Sequence, residues 1–367
     1  MTCHFAYAVP AQGIRRRVRR KLYPRLQPFG LPLCWFGHRR NPDTSQWPRC
    51  SPYENTRNIY AGLSAHVPTL LYDFREHVGC QCSPEDVFLG HPYFPAKPGA
   101  KGVTELSLVG RPRPRVFALI SPLHCNISVR TSHINKAFLD AVDGLLPEAD
   151  LLFGIMGQYW WDLWKNSPYA HWMPKMIRLD MAIAAAYFPR VKMSYNAPGK
   201  RGFLYIGRND AMKGTEFLGR LAAALPDFRF GWIGPGEEIK GVVRISPPRL
   251  LTPDFMAEAA KNFDFFISPS VADPNPTTIL ESMAWGFPVV CTPQSGYYET
   301  AYMRNIYHED LDRSVQILRD LQWAETEVLL DMAEQARDVV RRCYTWDAVV
   351  SRICEGLGLG KPASGQG

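Results

Sequence analysis

No stretch of this 367-residue chain stays apolar for the roughly 20 residues that a bilayer crossing needs. A spanning helix is therefore not expected. A secretory leader is not expected either, because the N-terminal arginines follow the first apolar residues instead of preceding them. Cysteine occurs nine times but in no framework: Cys80 and Cys82 lie one residue apart, and no second pair matches them. This argues against a cysteine-rich zinc module or a disulfide scaffold and for free thiols in a reducing, cytoplasmic setting. No aspartate cluster offers a divalent ion a site, so the expected metal complement is none. Acid is scarce at one end. Residues 1–49 hold ten Lys/Arg against the single acid Asp43, so the net charge of +7 belongs to that segment. Such a segment suits an anionic partner. Nucleic acid is not the expected one, because no stacking platform or recognition motif accompanies the charge.

The richest stretch runs over residues 263–299. An apolar run at 263–268 reads as a strand, and a Pro-rich turn at 269–276 leads into helical residues 279–285, which Gly286 stops. A second strand at 287–291 is followed by a polar loop at 292–297. This order is a βαβ unit, whose loops bind ligands in open sheets. Asp273 and Glu281 flank the helix start. Glu281 is read in the first turn, with Thr278 three residues before it as a possible capping box. The amides around Thr277 and Thr278 favour an anion, and those of Ser295, Gly296 and Tyr297 are read as aimed at sugar or phosphate. Upstream, a strand at 202–206 ends in Gly207 and Arg208, and Lys213 and Gly214 enter a helix over 215–225. Arginine presents a planar fork to phosphate and lysine a compact point charge. A strand at 228–233 precedes Gly234, Pro235 and Gly236, where absent side chains permit close backbone approach.

The first half is plainer. A strand at 5–9 runs into a turn carrying Gly13, as at the start of a doubly wound domain. Arg15, Arg16, Arg17, Arg19, Arg20, Lys21 and Arg25 crowd one helical segment, which is read either as a solvated face or as a contact for an anionic acceptor or membrane headgroups. Strand candidates at 86–89 and 115–120 place His91 and His124 just past their C-terminal ends. Residues 149–155 read as the last core strand of the first domain. Tyr159, Trp160, Trp161, Trp164 and Trp172 lie close together, either as a sugar-stacking surface or as core. Residues 194–201 form a polar linker.

Several of these segments resemble retaining GT-B glycosyltransferases of the large family 4 type, which includes sucrose synthases, mannosyltransferases and lipopolysaccharide glucosyltransferases. The carriers are Asp273 and Glu281 at the two acid positions, then Ser282, Met283, Ala284, Trp285, Gly286, Phe287, Pro288, Val289, Val290. Gly207–Arg208 with Lys213–Gly214, and Tyr344–Thr345–Trp346–Asp347 near the end, belong to the same pattern. Asp273 departs from it by one methylene. An Asn–Gly–Val–Asp run that often precedes the aromatic–Pro segment is replaced by Met181, Ala182, Ile183, Ala184.

The resemblance implies an α/β chain of two Rossmann-like doubly wound domains facing a central cleft. The expected division is an acceptor-side domain over 1–193, a donor domain over 194–345, and a closing helix with a tail over 346–367. It implies transfer of a sugar from a nucleotide diphosphate, with retention, to a hydroxyl-bearing acceptor. In it, Arg208 and Lys213 clamp the pyrophosphate, Glu281 takes the ribose hydroxyls and Asp273 takes the sugar. His124 approaches donor or acceptor. Gly13, Gly207, Gly234, Thr277, Thr278, Ser295 and Gly296 line the nucleotide sugar, which is a substrate and not a resident cofactor. The alternatives are a GT-B nucleotide-sugar epimerase and a catalytically degenerate sugar-nucleotide binding protein.

Overall fold

The computed structural model describes residues 1–7, 38–39, 43–44, 47, 53–73, 83–90, 115–120 and 149–359. Gly13, His91, His124, Cys80, Cys82 and the basic run over 15–25 lie outside the described residues.

Two sheets organise the chain. The first contains β1 (Cys3–Tyr7), β2 (His38–Arg39), β3 (Thr69–Asp73), β4 (Val87–Gly90), β5 (Arg115–Ile120), β6 (Leu151–Ile155) and β7 (Met176–Leu179), in the order β2-β3-β1-β4-β5-β6-β7. All pairs are parallel except β2 with β3. The second contains β8 (Gly202–Ile206), β9 (Arg229–Ile233), β10 (Val243–Ser246), β11 (Phe265–Ser268), β12 (Val289–Cys291) and β13 (Met303–Asn305), in the order β10-β9-β8-β11-β12-β13. Every pair in it is parallel. Strand order reverses beside β1 and beside β8, and such reversals open a crevice at the C-terminal strand ends.

Parallel strands covered on both faces must be apolar along their whole length. The runs at β5, β8 and β11 meet that demand, and all but Arg115 of their residues are buried. Across the second sheet, Phe203 stacks on Phe230 and Phe265 with ring centroids 5.4 and 4.9 Å apart. Its faces are covered by α3 (Thr215–Ala224), α4 (Pro253–Asn262), α5 (Thr277–Trp285), α6 (Leu311–Trp323) and α7 (Thr326–Cys343), which follow α1 (Tyr53–His66) and α2 (Gln158–Lys165) in the chain. The last helix, α8 (Trp346–Leu357), buries Val349, Val350, Ile353 and Leu357 in the core of the first sheet, together with Phe5, Leu63 and Phe153. It approaches α1 so closely that a Cβ on Gly62 would collide with Val350. The chain thus leaves the first sheet, builds the second and returns.

Residues 149–155 are not the last strand of the first sheet, because β7 pairs beyond β6 at the edge. Its four residues alternate neither cleanly apolar nor polar and carry Arg178, which hid the strand from periodicity. The segment joining the sheets is held by a buried charge cluster. The Asp264 carboxylate accepts from the Asn196 and Gly202 amides at 2.8 and 3.0 Å and pairs with the Lys192 ammonium at 2.7 Å. Burial depresses the Lys192 pKa, and the Asp264 carboxylate opposes that shift. The Arg201 guanidinium donates to the Leu321 and Asn196 carbonyls and lies fully buried beside them.

Candidate active site at the cleft

The C-terminal ends of β8, β9, β11 and β12 deliver four loops to one place. The first loop needs glycine twice. Gly207 donates its amide to the Ile233 carbonyl at 3.0 Å, and a Cβ there would strike the Tyr205 ring. Gly214 has φ +67, and a Cβ on it would enter the Pro269 carbonyl oxygen. Between them a single helical turn forms because Asp210 caps it, its carboxylate accepting the Lys213 amide at 3.0 Å. Arg208 pairs with Asp210 at 3.2 Å and keeps its guanidinium largely in solvent. The second loop, at Gly234, passes directly over the Gly207 carbonyl, where any Cβ would collide.

The loop after β11 packs onto the first. Val271 and Ala272 donate their amides to the Met212 carbonyl at 2.9 and 3.1 Å. This contact places the Lys213 ammonium against the Asp273 carboxylate, sixty residues away in sequence. The two residues drawn from separate motifs therefore form one ion pair, partly open to solvent.

The helix α5 begins directly after this loop. Pro276 precedes it and no side chain caps its first amides, at Thr277 and Thr278. These donors are the unsatisfied groups of a helix N-terminus, which favour an anion. Glu281 is not in the first turn, as expected from Thr278, because the helix starts at Thr277. The capping box is consequently absent. The Thr277 hydroxyl hydrogen-bonds the Glu281 carboxyl one turn on, and burial pushes that carboxyl up to about 7 against this bond. A buried carboxyl with a pKa of about 7 changes charge near neutral pH, and its ionised form is the one that accepts hydroxyl donors.

The loop after β12 corrects another expectation. The amides of Ser295 and Gly296 are taken up within the loop itself. They donate to the Thr292 and Pro293 carbonyls at 2.9 and 2.8 Å, closing a tight turn. The Ser295 hydroxyl is buried in a cluster with Ser268, at 3.2 Å, and Thr292, at 3.3 Å. A sequence of Thr, Pro, Gln, Ser and Gly signals a turn but not where its amides point.

Three contributors carried no motif signal. The His308 Nε2 lies 3.1 Å from the Ser270 carbonyl, and its ring packs on Phe217 with centroids 4.5 Å apart. Asn275 accepts from the Tyr297 hydroxyl at 2.7 Å. Asp180, just past β7, lies near Asn275 and pairs with Arg178 at 3.2 Å, and burial raises its pKa. The aromatic group divides. Trp160, Trp164 and Trp172 are core, whereas Tyr159 makes an edge contact with the exposed Tyr298 at 5.9 Å. Among the described residues no group of His, Cys, Asp and Glu is placed to hold a metal ion, and no helix is long and apolar enough to cross a membrane.

This geometry has relatives. The family described as Glycosyl transferases group 1 matches residues 200–310, which contain every one of the donor-side loops described. A sulfoquinovosyl transferase of Arabidopsis thaliana, SQD2, is 27% identical over 180 residues, covering 45% of this chain and 34% of that protein. The chain thus spans about a third of this relative's length. Among solved structures, sucrose-phosphate synthase from Thermosynechococcus elongatus superposes with a TM-score of 0.57 over 97% of this chain and 98% of its own, at 13% identity. TarM superposes with a TM-score of 0.53 at 10% identity, covering 75% of this chain and 55% of TarM. A mutant of S. aureus TarM in complex with fondaparinux, α-GlcNAc-glycerol and UDP gives 0.51 at the same coverage. The structural likenesses bear on the fold, which is GT-B: two Rossmann-like α/β domains with a central cleft.

Proposed function

From a GT-B chain related to the group 1 glycosyl transferases, we propose a retaining glycosyltransferase that moves a sugar from a nucleoside diphosphate to a hydroxyl-bearing acceptor. The observation that carries this reading is the Lys213–Asp273 pair, which joins the phosphate-clamp loop to the sugar-side loop at one point. The diphosphate lies over the uncapped start of α5, between Arg208 and Lys213. These cations and the helix amides stabilise the charge that grows on it as the glycosidic bond breaks. Glu281 accepts the ribose hydroxyls. Asp273 accepts hydroxyls of the transferred sugar when the donor's phosphates draw Lys213 away from it. Departure of the diphosphate on the face the acceptor enters preserves the anomeric configuration.

The acceptor we propose is anionic, phosphorylated or lipid-linked, on the strength of Arg15, Arg16, Arg17, Arg19, Arg20, Lys21 and Arg25. The same run supports peripheral contact with an anionic membrane face. Co-sedimentation with vesicles that is indifferent to anionic lipid and to removal of these charges would exclude the membrane contact.

The donor reading is tested by calorimetric titration of UDP, GDP and ADP and their glucose or mannose conjugates into wild type and Arg208→Ala. UDP is the first probe, because it accompanies TarM in its complex. One base should bind wild type and bind the variant about 10–100-fold more weakly, the worth of a charge-assisted phosphate contact. Well-folded wild type that binds none of them refutes the reading.

A further inference from the structure

The cleft is closed at one corner by contacts between the first domain and the loops that carry the donor-side residues. After β6 the chain turns at Gly157, whose amide donates to the Pro274 carbonyl at 2.9 Å. The approach is tight enough that a Cβ on Gly157 would enter the Gly296 carbonyl, and one on Gly296 would enter that of Pro274. Helix α2 starts here, and the Tyr159 amide points at the Gly296 carbonyl at 3.4 Å. One residue on, Trp160 is buried and its indole Nε1 donates to the Gln294 carbonyl at 2.9 Å. That carbonyl has a second donor, the Asp273 amide at 3.2 Å. A carbonyl oxygen offers two lone pairs, and here one takes an indole from the first domain and the other the backbone of the sugar-side acid.

We propose that Trp160 is a positioning residue for the donor sugar, acting through the Gln294 carbonyl on Asp273. This deepens the function proposed above and rests on the sugar contact of Asp273. The indole fixes the direction of a carbonyl that in turn fixes the Asp273 main chain. The short aspartate side chain has one fewer torsion with which to recover from a main-chain shift, so its reach depends on that anchor. Displacements of tenths of an ångström at a reacting group change its effectiveness steeply. The diphosphate is held by Arg208, Lys213 and the start of α5, and Trp160 reaches only the Gln294 carbonyl behind Asp273, so the parent diphosphate serves as the reference for the sugar conjugate.

Helix α2 supplies its own control. Trp164 is equally buried, but its indole donates at 3.1 Å to Tyr169, within the first domain. Trp160→Phe and Trp164→Phe both keep a ring and delete an N–H, yet only the first cuts the link to Asp273.

The test is calorimetry on the full chain with UDP, GDP and ADP, each against UDP-glucose, GDP-mannose and ADP-glucose, and reads the Kd ratio of parent diphosphate to sugar conjugate. Trp160→Phe should lower that ratio at least about threefold while parent diphosphate affinity stays within about twofold, and Trp164→Phe should leave both unchanged. In the Asp273→Ala background Trp160→Phe should have no further effect, the non-additivity of residues acting in series. A ratio kept in Trp160→Phe but lost in Asp273→Ala overturns the positioning role alone, as do equal losses in the two tryptophan variants or additive losses in the double variant. A ratio unmoved by Asp273→Ala overturns the sugar contact and this role together.

Discussion

The carboxyl of Glu281 should make donor binding depend on pH. Burial lifts it to about 7 from an ordinary value of 4.5, and the Thr277 hydroxyl offsets only part of that. Accepting two ribose hydroxyls requires the carboxylate, since the protonated form loses an acceptor and gains a competing donor. With a pKa of about 7, the free protein holds roughly a tenth of Glu281 ionised near pH 6 and roughly nine-tenths near pH 8. Affinity should therefore rise about tenfold over that interval, with a proton released on binding at its lower end. A sugar conjugate is the right titrant, because its diphosphate is esterified at both ends and does not titrate there. Calorimetry in buffers of different ionisation enthalpy reads both quantities. Glu281→Gln should bind more weakly and lose the slope.

Stability should move in the opposite sense. The unfolded carboxyl ionises near 4.5 and the folded one near 7. The folded state is therefore penalised as pH rises through that window, by about 3 kcal/mol once above it. Glu281→Gln should melt higher than wild type at about pH 8 and alike at about pH 4, by scanning calorimetry. An affinity flat from pH 6 to 8, together with equal melting of the two proteins at pH 8, would refute the reasoning.

Other outcomes follow from the same contacts. Gly214→Ala forces a Cβ into the Pro269 carbonyl at φ +67 and should cost upwards of about 2 kcal/mol in urea unfolding, with donor binding lost in whatever folds. Asp264→Ala strands the Lys192 ammonium and two backbone amides in the interior and should cost about 3–5 kcal/mol, read as a lower urea midpoint. Thr345→Ala removes the cap of α8, whose hydroxyl accepts the Ala348 amide at 3.2 Å, and should cost about 1 kcal/mol. Because α8 packs on the first sheet, hydrogen exchange should rise in α1 and α8 before it rises in α3.

What could be read from residue order was what residue type alone decides. The buried strands of the second sheet announce themselves because two-sided burial favours apolar side chains, and Gly207 and Gly214 mark a loop because a Cβ would strike the Tyr205 ring at the first and the Pro269 carbonyl at the second. What escaped was set by main-chain direction. Glu281 sits two residues deeper than Thr278 suggested, because the helix starts at Thr277 with Pro276 as its N-cap. The amides of Ser295 and Gly296 turn inward, onto the Thr292 and Pro293 carbonyls of their own turn. β7 escaped because a four-residue edge strand has too few positions to show a period. The same limit explains why the aromatic group stayed ambiguous. Trp160 and Trp164 are alike in type, burial and helix, and differ only in whose carbonyl their indoles reach, Gln294 or Tyr169. An acceptor on the backbone has no residue signature, so a contact between domains made through one is invisible until the chain is folded. In this cleft that hidden acceptor lies between the first domain and Asp273, the position where the acid pattern itself departs by one methylene.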